Sequence, residues 1–189
     1  MRRAAFGFIR GVDGFNRRVG RIVMYGIFLL MAVLLWSSIS KTFFVPSLWT
    51  LELAQFVMVA YYILGGPYSI QLGSNVRMDL LYGEWSMRKK AWADAVTVLF
   101  LIFYLGVMLY GAVGSTAYSL GYWGTEPISF FAGLITGTEQ IGRMETSPSA
   151  WRPWLWPIKT VMVLGLFLML LQCLSELIKD VLRLKGETI

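Results

Sequence analysis

The sequence predicts an all-α integral membrane protein with four transmembrane helices, both termini on the inner side, and an interfacial amphipathic helix ahead of the first span. Three observations predict it. First, 57% of the 189 residues are hydrophobic and 15% are charged, whereas a soluble domain carries roughly a quarter charged residues; mean hydropathy is +0.61. Second, the apolar residues are gathered into four runs, each long enough to cross a hydrocarbon core. Third, the basic residues collect between those runs and mostly on one side.

The chain reads as one four-helix membrane domain, residues 1–189. Residues 1–21 place Phe8, Val12, Phe15 and Val19, with Ile22 beyond, at alternating four- and three-residue steps, and keep Arg10, Arg17, Arg18 and Arg21 largely off that stripe. This pattern predicts a helix lying in the membrane interface, aromatic face down and arginines among the headgroups. The first span, 22–40, is uncharged and covers about 28 Å at 1.5 Å per residue. The second, 50–72, carries Glu52 in its first turn, where a carboxylate meets the positive end of the helix dipole. Gly65, Gly66 and Pro67 near its far end mark a kink, a close backbone approach or a helix terminus.

A charged loop, 73–90, follows with Arg77, Asp79, Glu84, Arg88, Lys89 and Lys90. The third span, 91–120, has no charge from Ala95 to Thr125. That stretch would measure about 45 Å as one helix, so a tilted helix ending near Leu120 is expected. Gly111 and Ser115 form a small-xxx-small pair suited to helix contact. The longest loop, 121–156, contains the apolar patch PISFFAGLITG, too short to span as a helix. Trp151, Trp154 and Trp156 then form an aromatic belt, and the fourth span, 157–178, has Lys159 at its outer end, placed to snorkel to the headgroups. Residues 179–189 close the chain as a basic tail.

Counting charges orients the four spans. The inner side receives thirteen basic residues: Arg2, Arg3, Arg10, Arg17, Arg18, Arg21, Arg77, Arg88, Lys89, Lys90, Lys179, Arg183 and Lys185. The outer side receives four: Lys41, Arg143, Arg152 and Lys159. This bias puts both termini in the cytoplasm. It also accounts for the net charge of +6 without invoking nucleic acid, whose binders gather basic residues into a surface patch.

Composition narrows the chemistry. There is no histidine and one cysteine, Cys173, so His- or Cys-based zinc sites, bis-histidine haem and an internal disulfide all lack ligands. No metal or cofactor is expected. The sequence contains no P-loop, dinucleotide-binding glycine pattern or nucleophile elbow, and no catalytic residue is expected. A protein that moves an ion itself keeps ionisable groups at membrane depth, but Glu52, Asp94, Lys159 and Glu176 all lie within a turn or two of a span end. The deep polar residues are Ser37, Ser38, Gln55, Thr97, Ser115 and Gln172; such groups join helices at roughly 0.6–2 kcal/mol each. An accessory subunit bordering a larger membrane partner fits this pattern. A self-sufficient exporter and a lipid-modifying enzyme fit less well. An anchor subunit of a quinone-linked redox complex is the alternative.

Two stretches resemble a known family. SNVRMDLLYGEWSMRKKAWAD, with Asn75, Val76, Arg77, Asp79 and Leu80, is similar to the cytoplasmic loop of the small membrane subunit of tripartite ATP-independent periplasmic (TRAP) transporters, the Q-type or DctQ-like family. SAWRPWLWPIKTVMVLGLFLMLLQCLSELIKD resembles that family's fourth helix through Trp156, Pro157, Lys159, Gln172, Glu176 and Lys179. The loop from Gly121 to Ala150 is longer than the family's usual one.

The resemblance implies two protein partners besides the lipid bilayer: a large membrane subunit, which carries a carboxylate-bearing solute with sodium, and a periplasmic solute-binding protein that captures the solute. The small subunit would widen the stationary part of the large one, in the bacterial inner membrane. Its candidate family-motif or subunit-interface residues are Asn75, Arg77, Asp79, Gly111, Ser115, Trp156, Pro157, Lys159, Gln172 and Glu176. The PISFFAGLITG patch is expected to face the binding protein or the large subunit.

Overall fold

The computed structural model describes residues 2–73 and 87–184. Asn75, Arg77 and Asp79 lie outside the described residues. The described chain is helical apart from turns and one isolated β-bridge. Its elements are α1 (Arg2–Val23), α2 (Gly26–Phe43), α3 (Thr50–Leu72), α4 (Met87–Ser119), α5 (Pro127–Thr136) and α6 (Trp156–Leu184). Four stretches are long and apolar enough to cross a membrane: Ala5–Phe43, Thr50–Leu72, Trp92–Ser119 and Trp156–Leu182. The first, at 39 residues, would run to about 58 Å, nearly twice a hydrocarbon core. A joint at Met24–Tyr25 divides it, with Tyr25 N–H and Phe28 N–H bonding three residues back to Ile22 and Tyr25 carbonyls.

The helices stand in the spatial order α2, α3, α6, α4, so the last helix in the chain inserts between the second and third spans. Among the described residues α3 and α4 make no substantial contact with each other. The result is an open row rather than a closed four-helix bundle. α6 holds the middle because its two faces differ in kind. Toward α4 it presents Met162, Leu166, Leu170 and Cys173, which pack with Val98, Leu101, Ile102, Leu105, Leu109 and Ala112. Both sets recur at three- and four-residue steps, one stripe of a helix each.

Toward α3 the contact is closer and uses glycines. A Cβ at Gly66 would lie 2.6 Å from Met169 Sδ, and one at Gly165 would lie 2.2 Å from Ile63 Cγ2. Lipid tails are as apolar as leucine, so such close packing, not water exclusion, holds membrane helices together. The Gly65–Pro67 cluster therefore marks a close approach inside a helix that continues to Leu72. Gly73, with φ +62, ends it, a left-handed cap that glycine adopts at no steric cost.

The apolar stripe of α1 is not the face that packs on the other helices. Phe8, Phe15 and Ile22 face outward, while Ile9, Asn16 and Gly20 are buried and Asp13 is half-buried. Gly20 abuts Tyr68 of α3, where a Cβ would come within 2.4 Å of the ring. The helix thus turns a partly polar face onto α3 and α6. Its exposed arginines, Arg10, Arg17, Arg18 and Arg21, and its outward aromatic residues are left for the surroundings. The physical reason is that lipid accepts phenylalanine but not asparagine, so the polar side chains seek protein partners.

Candidate functional site

The side chains with chemical character gather at the two ends of the helix row. At one end α1 meets α6. Asp13 accepts hydrogen bonds from Gln172 Nε2 at 2.9 Å and Ser175 Oγ at 3.0 Å, and pairs with Lys179 Nζ at 2.7 Å. Lys179 also pairs with Glu176 at 2.7 Å, and Gln172 Nε2 donates to the same Glu176 oxygen at 3.1 Å. Asn16 Nδ2 donates to Gln172 Oε1 at 2.8 Å; these two amides are almost wholly buried. On α6, Gln172, Ser175, Glu176 and Lys179 follow at three- and four-residue spacing, which stacks them along one face. On α1, Asp13 and Asn16 are three apart for the same reason. Gln71 at the end of α3 adds a longer bond, 3.3 Å, from Nε2 to the Asp13 carbonyl.

At the other end a folded-back loop clamps α3, α4 and α6. Gly121, at φ +87, lets the chain leave α4 against the backbone of Gly142 and Arg143; a Cβ there would sit 2.6 Å from Arg143 N. Gly142 N–H and Glu145 N–H then donate to the Leu120 and Ser119 carbonyls. The bridge between Thr146 and Trp154, with Ser147 N–H on the Pro153 carbonyl, makes a small turn. That turn delivers Ser147 Oγ to the buried Glu52 carboxylate of α3, and Glu145 to Lys159 of α6 at 2.6 Å.

Lys159 is therefore not turned to the headgroups as expected. It is half-buried, donates to the Ser115 carbonyl at 3.2 Å and lies 5.7 Å above the Tyr118 ring. A carboxylate and a helix-end carbonyl at short range hold an ammonium better than a solvated interface does. Beside these ties, Ser40, Ser47, Thr50 and Ser37 form a hydroxyl chain with 3.1 Å links that closes the α2–α3 turn.

The other expected residues are dispersed. Gly111 faces outward on α4 with nothing within 4 Å of a Cβ position, so it makes no close helix contact among the described residues. Ser115 is half-buried and contributes its carbonyl. Trp156 and Pro157 are exposed at the start of α6. Of the deep polar residues, Gln172 joins helices and Ser37 takes part in the hydroxyl chain, whereas Ser38 and Thr97 bond back to their own helices and Gln55 is exposed. Sequence reasoning missed Asp13, Asn16 and Ser175. The available signal was Asp13 itself, the sole acidic residue before Glu52, set among arginines.

The PISFFAGLITG patch is a helix, α5, lying on α4. Phe130 is buried, stacked on Tyr122 at 4.6 Å between centroids, and Pro127 touches the Gly114 position. Ile128 and Ile135 are 64% and 88% exposed. A contact made by this outward side would be lost on replacing both isoleucines with serine while Phe130 keeps α5 in place. The expected outcome is weaker capture of the partner membrane subunit with unchanged thermal stability of the isolated chain. Unchanged capture would count against a docking role.

A family model described as the DctQ component of tripartite ATP-independent periplasmic transporters matches residues 30–183. The chain is a member of the DctQ family. The match spans α2 to α6 but not α1, so within the inner tie Gln172, Ser175, Glu176 and Lys179 lie inside the matched region and Asp13 and Asn16 outside it. Comparisons with curated proteins and with solved structures gave no match. Membership makes this DctQ chain a component of a membrane transporter, consistent with its four membrane-length helices.

Proposed function

We propose that this chain is the small permease subunit of a TRAP transporter and acts as a scaffold for the large membrane subunit. In this reading a periplasmic binding protein delivers a carboxylate-type solute. The large subunit carries it inward with sodium, and the small subunit performs no catalytic step. The chain lies in the bacterial inner membrane with both termini in the cytoplasm, as the thirteen-to-four distribution of basic residues favours.

The family match carries the transporter half of the proposal. The scaffold half is supported by where the charges go. Asp13, Glu145, Lys159, Glu176 and Lys179 are tied to each other, and Glu52 to Ser147, across different parts of one chain. Groups engaged in this way build a frame; they are not presented to a passing solute.

The test is co-expression with the large subunit, affinity capture of the small one, and sodium-driven uptake in proteoliposomes. Co-purification and uptake that needs both subunits are expected. A large subunit that transports at full rate without this chain would overturn the scaffold role. We further propose that Asn75, Arg77 and Asp79 fix the 73–90 loop through partner contacts. Replacing Arg77 and Asp79 with alanine is then expected to lower recovery of the large subunit several-fold, since each charge-assisted hydrogen bond lost is worth about 1.5–3 kcal/mol. Undiminished recovery would reduce them to a solvated pair.

A further inference from the structure

We propose that this chain holds a phospholipid, with one acyl chain seated in an apolar groove beside the 121–155 loop and the phosphate at Arg143. The groove has a volume of about 430 Å³ and runs between the adjoining ends of α4 and α6, roofed by Phe131 of α5 and by Ile141 and Met144 of the loop. Its only hydroxyls, Thr116 and Thr160, donate to carbonyls of their own helices at 2.8 and 2.9 Å. Water filling this space would number roughly a dozen molecules at ~30 Å³ each, and each needs two to four polar partners that the walls do not provide. The space therefore suits a hydrocarbon.

Position selects the source of that hydrocarbon. The walls are the last turns of one span and the first turns of another, with Trp156 at the rim, a depth at which tails end and headgroups begin. Ile141 is half exposed, so the groove opens at the surface beside Arg143. Arg143 stands between two lining residues, is exposed, and makes no ion pair among the described residues: the nearby Glu145 carboxylate is taken by Lys159. A guanidinium there matches a phosphodiester in charge and in its two-donor fork. Gly121 and Gly142, packed backbone to backbone, hold that part of the wall in place. Orientation of the chain does not enter, because the groove lies at a span end in either case.

The test uses the full-length chain in nanodiscs containing phosphatidylglycerol with a photoactivatable acyl chain. Irradiation is expected to label the peptides carrying Val113 and Met144 more strongly than the outward faces of α2 and α4. Val163→Phe, which fills the groove, is expected to remove that excess. Arg143→Ala, a change on an exposed side chain, is expected to lower phosphatidylglycerol retention in native mass spectra about tenfold, the scale of one charge-assisted hydrogen bond, with Arg143→Lys in between. Labelling no stronger than on the outer faces, or retention unchanged in Arg143→Ala, overturns the proposal. So does cross-linking from Val113 to the large subunit with loss of the lipid label in the complex, which would assign the groove to a partner's side chain.

Discussion

Replacing Gly165 with valine is expected to drive α6 away from α3 and to lower the stability of the whole helix row. A Cβ at this position lies 2.2 Å from Ile63 Cγ2 and 3.0 Å from the Ile63 carbonyl oxygen. The Ile63 side chain can turn aside, but its backbone cannot. Ile63 is also four residues before Pro67, whose ring nitrogen has no hydrogen to donate. Gly165 lies directly over that carbonyl. Overpacking costs typically ~1–3 kcal/mol in a well-packed core, and the upper end applies because α6 is the helix both neighbours depend on. Thermal or detergent-induced unfolding of the purified chain measures it. Gly111→Val is the matched control: nothing lies within 4 Å there, so a change within ~0.5 kcal/mol is expected. Equal midpoints for the two variants would refute the close α3–α6 contact.

The second large effect belongs to Asp13. Asp13→Ala removes the acceptor shared by Lys179, Gln172 and Ser175. Lys179 keeps Glu176 at 2.7 Å, which softens the loss. Its side chain is 12% exposed, so the cost is expected at about 2–3 kcal/mol, below the ~3–5 typical of breaking a fully buried pair. The signature is local as well as global. α1 would exchange its amide hydrogens and admit protease sooner than α3 or α6. Asp13→Asn, retaining one acceptor oxygen, is expected to fall between. Gln71→Met supplies the contrast, because its one amide bond is long, 3.3 Å, and its Oε1 has no donor among the described residues; little change is expected. Protection of α1 that survives Asp13→Ala would show that the helix is held by Gly20 and Tyr68 instead. Cys173 is fully buried, so cysteines introduced on α1 can report its exposure against a quiet background.

These two predictions draw on contacts of opposite legibility. Gly66 and Pro67 were visible as a place where a backbone could approach, because small residues and a proline announce themselves locally. Which helix approaches was not visible. Water ranks the faces of a soluble helix by polarity, but lipid is as apolar as a helix flank, so composition alone does not rank neighbours in a membrane. The same fact kept the packed face of α1 out of view. Its apolar stripe is periodic and easily found, yet Phe8, Phe15 and Ile22 look outward and the buried face carries Asp13 and Asn16. Lys159 shows a third form of the problem. Its place at the end of a span was clear from the chain, but its partner Glu145 arrives through a loop whose path depends on Gly121 and Gly142 meeting backbone to backbone.

What the amino-acid order determined by itself is the part governed by single segments: four helices long and apolar enough to cross a membrane, and membership of the DctQ family. Length, charge and periodicity act within a segment and can be read along it. Only the tertiary structure decided that α6 stands between α3 and α4, and that Asp13 meets Gln172 across 159 positions of chain. Those choices depend on shape at helix surfaces and on hydrogen-bond partners brought together from distant segments.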